Sequence, residues 1–202
     1  MTGALKKIMR KLAPLAFLLS LLFSPERVSA GAPTAQLSAT INEFVTILVN
    51  TPVSQLRATG LPDEALKLIY SRFDFSEMTK RSLGAHWQSL VQAEQKEFVD
   101  AFTHRLLVAY GRTVRASGDE KIQFKGEVLD GKFASVETKV LSGNGEELPI
   151  DYQLYKVDGQ WKVYDMVIDQ ISIVKNYRAQ FERVIAKSSL QELLARLKEQ
   201  SS

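Results

Sequence analysis

Three dipeptides, Asp130-Gly131, Asn144-Gly145 and Asp158-Gly159, separate runs in which apolar and polar residues alternate. Each dipeptide readily takes the positive φ angles of a tight hairpin turn, so the chain from Gly118 to Ile168 is predicted to be a four-stranded antiparallel meander. Ile122, Phe124 and Val128 mark one face of the first strand; Ala134, Val136, Thr138 and Val140 mark the second. Leu148, Ile150, Tyr152 and Leu154 mark the third, and Trp161 to Ile168 forms the fourth.

Before the meander the apolar period is 3.6. A first helix follows from Leu37, Ile41, Phe44, Val45 and Leu48, with Thr34 as its expected cap and Pro52 as its stop. Further helices are expected from Pro62 to Tyr70, from after Ser76 as cap to near Leu83-Gly84, and from about Gln92 to Arg112. The last of these carries Phe98, Phe102, Leu106, Ala109 and Tyr110 on one stripe and is expected to cover one sheet face. After the sheet, Ile173 to Ala186 and a run starting after Ser188 or Ser189 return to helical spacing. Helices, sheet, helices is an α+β layout, and nothing in residues 35–200 reads as a linker or repeat.

The first thirty residues belong to a different problem. Lys6, Lys7, Arg10 and Lys11 precede an apolar run from Leu12 to Phe23, and Val28-Ser29-Ala30 supplies small residues before a cut after Ala30. Twelve helical residues reach only about 18 Å, short of the roughly 30 Å hydrocarbon core, so a cleaved secretory signal is expected rather than an anchor. The expected division is a signal peptide, 1–30, and one domain, 31–202. Removing the signal takes away five cations and one anion and moves the formal charge from +3 to −1. A nucleic-acid partner then has no electrostatic support.

Composition removes much chemistry. There is no cysteine, hence no disulfide, thiol nucleophile, lipid-anchored N-terminus or cysteine-ligated metal, and His86 and His104 alone cannot build a multi-histidine site. No cofactor or metal is expected. No Gly-x-Ser-x-Gly elbow supports a hydrolase triad, and Ser142-Gly143-Asn144-Gly145 joins antiparallel strands rather than opening a helix, so it is a turn and not a phosphate cradle. Among the carboxylates, Asp151 is expected to face outward. Asp165 shares the parity of Trp161 and Val163 and is expected to face inward, either paired with Arg178 or acting as a general base.

Six segments carry more than periodicity. Phe73-Asp74-Phe75, Leu83-Gly84-x-x-Trp87, Glu97-Phe98, Trp161-Lys162-Val163-Tyr164-Asp165, Ile171-Ser172 and Asn176-Tyr177-Arg178-x-Gln180-Phe181 occur in this order. Together they resemble the MlaC-type family of periplasmic phospholipid-binding proteins, the toluene-tolerance family, over essentially all of the chain after the signal. One departure is Asp169-Gln170, where that family commonly has an acidic residue and glycine. The resemblance implies a lipid cavity between the sheet and its helices. It also implies a soluble, noncatalytic carrier of phospholipid, or of a related lipid such as a hopanoid. Its expected partners are an inner-membrane ABC lipid transporter complex and an outer-membrane lipoprotein complex.

Physics agrees that such cargo needs a carrier. At about 0.8 kcal/mol per methylene, two acyl chains of roughly 15 methylenes cost on the order of 24 kcal/mol in water. The expected lining is Phe98, Phe102, Leu106 and Tyr110 from the long helix with Val136, Ile150, Tyr152, Trp161 and Val163 from the sheet. Ser172 and Arg178 are the head-group candidates, although Ser172 can equally cap the helix that follows it.

Overall fold

The hairpin turns set the sheet. In this computed structural model, which describes residues 31–56, 59–111, 121–143 and 145–199, the strands are β1 (Lys121–Asp130), β2 (Phe133–Leu141), β3 (Glu147–Val157), β4 (Gln160–Ile168) and β5 (Ile171–Ser172). They form one antiparallel sheet in sequence order. The helices are α1 (Ala32–Asn50), α2 (Asp63–Arg72), α3 (Phe75–Leu83), α4 (Gln92–Gly111), α5 (Ile173–Lys187) and α6 (Leu190–Glu199). The signal-peptide reading lies outside the described residues, as does Asn144 of the second turn.

At the third turn Asp158 and Gly159 have φ of 49° and 78°, and Val157 pairs with Gln160, the pattern of a two-residue loop left-handed at both positions. At the first turn Asp130 still pairs with Phe133, so the loop is Gly131-Lys132 and Gly131 alone is left-handed, at φ 55°.

The expected four strands become five. Ile168 pairs with Ile171 across Asp169 and Gln170, which have φ of 46° and 67°. This turn was hidden because it contains no glycine. A non-glycine residue in the left-handed region carries about 1–2 kcal/mol of strain, partly offset by the smaller entropy it loses on folding. Gln170→Gly is therefore expected to stabilise the fold by about 0.5–1 kcal/mol and raise Tm by about 2 °C in a thermal melt. An unchanged or lower Tm would contradict the strain.

Two bulges bend the sheet. Lys125 is the extra residue of β1, between the Phe124–Thr138 and Gly126–Glu137 pairs, and it reverses the parity of everything after it. Val128, expected on the inner face with Phe124, is consequently exposed. Tyr164 is the extra residue of β4, opposite Gln153 and Leu154.

The apolar side chains gather into two clusters. One belongs to the sheet: Ala134, Val136, Tyr152, Leu154, Trp161 and Val163 are buried under Leu37 of α1. The other is helical, with Met78, Phe98, Phe102, Leu106, Tyr177 and Phe181 at its centre. Thus α1, not the long helix α4, lies across the sheet, and α4 packs on α3 and α6. The reason is that α4 buries Ala101, Thr103 and Leu107 as well as the Phe98 stripe, so more than one of its sides needs a partner. Phe73 and Met166 pack against both clusters.

The helix starts also differ from expectation. Thr34 does not cap α1 but sits inside it, donating its amide (2.8 Å) and hydroxyl (2.6 Å) to the Glu127 carboxylate of β1, which supplies the cap from across the fold. Helix α3 starts one residue before Ser76, with Asp74 accepting from the Glu77 amide at 2.9 Å. Ser172 does cap α5, accepting from the Lys175 amide at 3.0 Å.

Candidate functional site

The α2–α3 junction is tied to the free edge of β4. The Asp74 amide donates to the Val163 carbonyl at 2.8 Å, and Phe73 forms a parallel bridge with Val163. Arg72 reinforces the tie, reaching the Trp161 carbonyl at 2.6 Å, Gln36 at 3.0 Å and Thr40 at 2.9 Å. Its burial lowers the guanidinium pKa from the ordinary value. Lys162 donates to the Ser71 carbonyl, and Tyr155 donates to the second oxygen of Asp74. Burial, and then the bond to Asp74, raise the Tyr155 phenol far above its usual range. One carboxylate therefore caps a helix, anchors a sheet tyrosine and holds the chain where α2 becomes α3.

This anchoring leaves a cleft of about 500 Å³. It is lined by Tyr70, Phe73, Asp74 and Phe75 of the α2–α3 region, by Val99, Asp100, Thr103 and His104 of α4, and by Val157 and Lys162 of the β3–β4 hairpin. The rings contact one another: Tyr70 meets Phe75 edge-on at 5.5 Å, and Phe73 stacks on Phe75 at 6.0 Å. Burial, followed by the nearby Asp100 carboxylate, raises the Tyr70 phenol. A second, smaller cavity of about 300 Å³ shares Asp100 and His104 and is lined also by Glu97, Ala101 and Lys198. The volume falls within the range of ligand pockets, about 300–1,000 Å³, and the lining mixes apolar and polar side chains.

None of the nine expected lining residues borders this cleft. Phe98, Phe102 and Leu106 are buried in the helical cluster, with Tyr110 packed at its margin. Val136, Tyr152, Trp161 and Val163 are buried in the sheet cluster, with Ile150 packed against it. The Tyr152 phenol is pushed up to about 12 by burial. Phe73 joins the two groups, since it touches both clusters and also forms part of the cleft wall.

The head-group candidates are not brought together. Ser172 serves α5 as its cap, whereas Arg178 is exposed and lays its guanidinium over Gly84 at the end of α3, about 3.0 Å from where a Cβ would stand. Asp165 is buried as expected but makes no ion pair with Arg178 among the described residues. It accepts from the Ser172 hydroxyl at 2.5 Å and the Val174 amide at 3.0 Å. The start of α5 delivers those two donors, and Arg178 lies more than a turn further on, turned toward α3.

Sequence reasoning missed Tyr70, Phe73, Phe75, Val99, Thr103 and His104. The Phe73-Asp74-Phe75 signal was visible as a motif without a role, and the Val99–Thr103 stripe was masked by the stronger apolar stripe beside it on α4.

Comparison with known proteins decides the family. The family model described as MlaC protein matches residues 38–199. The chain belongs to the MlaC family. Among curated relatives, the toluene tolerance protein ttg2D of Pseudomonas putida is 33% identical over 89 residues, 44% of this chain and 41% of that protein. The intermembrane phospholipid transport system binding protein MlaC of Haemophilus influenzae is 22% identical over 125 residues, 59% of this chain and 58% of that protein. This MlaC-family chain thus matches only about half the length of those two relatives. In three dimensions it resembles the phospholipid-binding protein from Ralstonia solanacearum, solved in complex with a phospholipid. The TM-score is 0.75 at 22% identity, covering 85% of this chain and 97% of that one. The likeness establishes the fold. Among the described residues no helix is long and apolar enough to cross a membrane.

Proposed function

We propose that this chain is a periplasmic carrier that binds one phospholipid with its acyl chains against the aromatic side chains of the cleft. The observation that carries the reading is the cleft itself, about 500 Å³ between the helices and the β3–β4 hairpin, in a chain of the MlaC family. An acyl chain entering there meets Tyr70, Phe73 and Phe75 first. Phe73 packs against both apolar clusters, which hold the nine residues named above, seven of them buried and Tyr110 and Ile150 partly so. Transfer from a bilayer to such a site exchanges one apolar environment for another, so uptake and release stay near balance.

The carrier would be exported with its signal removed after Ala30. It would exchange lipid with an inner-membrane ABC transporter complex and an outer-membrane lipoprotein complex, in keeping with the name of the Haemophilus relative, an intermembrane phospholipid transport system binding protein. The catalytic alternative through Asp165 loses support because that carboxylate is engaged by Ser172 and Val174 and does not border the cleft.

Mass spectrometry of organic extracts from the protein purified without detergent tests the reading. The expected result is one glycerophospholipid per chain, and a polycyclic lipid in its place would redirect the cargo to hopanoids. Empty extracts together with no uptake from phosphatidylethanolamine vesicles would overturn the carrier.

A further inference from the structure

Strand β1 has β2 on one side and, among the described residues, no strand on the other. The amides and carbonyls along that free edge are a template for a further strand. The edge also carries uncovered apolar side chains, since Val128 and Leu129 are 60% and 59% exposed. Its sequence reads as a charge-reversed palindrome: Lys121 opens it, Asp130 ends it, and Ile122 and Leu129 come next inward. Lys121 and Asp130 stand roughly 30 Å apart at the two ends of the strand, too far to pair within one chain.

A second copy meets such an edge under a strict rule. When two identical antiparallel strands pair about a twofold axis normal to the sheet, each residue faces a partner that lies on the same face of its own strand. In an unbroken strand side chains alternate, so Lys121 and Asp130 would lie on opposite faces and could not be partners. The bulge at Lys125 removes that obstacle. Lys121 and Asp130 now share the face of Leu141 and Phe133 on β2, and Ile122 and Leu129 share the face of Val140 and Ala134. We propose that β1 pairs edge to edge with β1 of a second copy of this chain, Lys121 opposite Asp130 and Ile122 opposite Leu129, with the Lys125-Gly126 bulges at the twofold axis. Opposite charges then close both ends of the ladder, and exposed Leu129 gains an apolar neighbour. A bulge usually keeps an edge from pairing, whereas here it brings complementary residues into one register. A contact one strand wide makes a weak, concentration-dependent dimer. The cleft takes its sheet residues from the β3–β4 hairpin, so pairing along β1 leaves it open.

Sedimentation equilibrium tests the pairing. For the wild-type protein purified without detergent, the mass is expected to rise toward twice that of one chain as the concentration is raised to about 1 mM. Lys121→Asp and Asp130→Lys each set like charges opposite one another at both ends of the ladder and should weaken association about tenfold or more. Mixed in equal amounts, the two variants meet with opposite charges at both ends and should recover wild-type association as a heterodimer. A chain carrying both substitutions should recover it alone. Wild-type protein that keeps the mass of one chain throughout overturns the proposal, as do single variants that associate as well as wild type. A mixture and a double variant that both stay weak overturn it too, since the loss would then come from damage to each fold rather than from charges meeting across the interface.

Discussion

Phe102→Ala is expected to destabilise the folded chain by about 4 kcal/mol, measured by urea unfolding of the purified protein. The ring is fully buried at 0% exposure, and it meets Tyr177 at 4.9 Å and Phe181 at 5.2 Å, both edge-on. Truncation removes the apolar transfer energy, both ring contacts and the packing of the space left behind, because α4, α5 and α6 are braced and collapse only in part. Against a total stability of about 5–15 kcal/mol, that is a large fraction of what holds the fold. The same experiment weighs the two roles open to this side chain. A ring facing open volume would give up much less, under about 2 kcal/mol, and its loss would change lipid loading before it changed the unfolding midpoint. A ring packed into the helical core gives the large value with loading altered little in the protein that stays folded.

How Phe102 came to be expected in a lining between the long helix and the sheet shows what was legible. The stripe Phe98, Phe102, Leu106 is plain at helical spacing, but spacing states only that a face is buried, not what covers it. Two apolar layers were available, the sheet and the C-terminal helices, and α4 went to the second while the weaker stripe around Leu37 took the sheet. The meander was legible because glycine turns and alternation are local signals. Strand β5 was not, since a two-residue strand shows no alternation and its turn uses Asp169 and Gln170 in place of glycine. The bulge at Lys125 was hidden for a related reason: one unpaired residue changes which face Val128 occupies without changing composition. The cleft depends on Phe73-Asp74-Phe75 docking beside Val163, a contact between residues some ninety positions apart, and no local pattern encodes it.

Asp165 is the sharpest instance of a legible position with an illegible partner, and its removal is the second large effect. The alternation places it inward, and it is 7% exposed. Its oxygens meet the first turn of α5: Oδ1 accepts from the Val174 amide at 3.0 Å, and Oδ2 accepts from the Ser172 hydroxyl at 2.5 Å. The Ser172 oxygen in turn accepts from the Lys175 amide at 3.0 Å, so one carboxylate from the sheet organises two of the amides that a helix start leaves unpaired. It also places negative charge at the positive end of the helix dipole. With charge-assisted bonds worth about 1.5–3 kcal/mol each, Asp165→Ala is expected to cost about 4 kcal/mol. Asp165→Asn keeps the shape and one acceptor and should cost about 2 kcal/mol. Arg178→Ala, at an exposed side chain that does not pair with Asp165, should stay within about 0.5 kcal/mol of wild type. Equilibrium unfolding of the three variants separates the possibilities. Were Arg178→Ala as damaging as Asp165→Ala, the ion pair would be restored; were Asp165→Asn to fold with undiminished stability, the carboxylate would be free for chemistry. The geometry argues for neither, because both oxygens already hold hydrogen-bond donors from the start of α5.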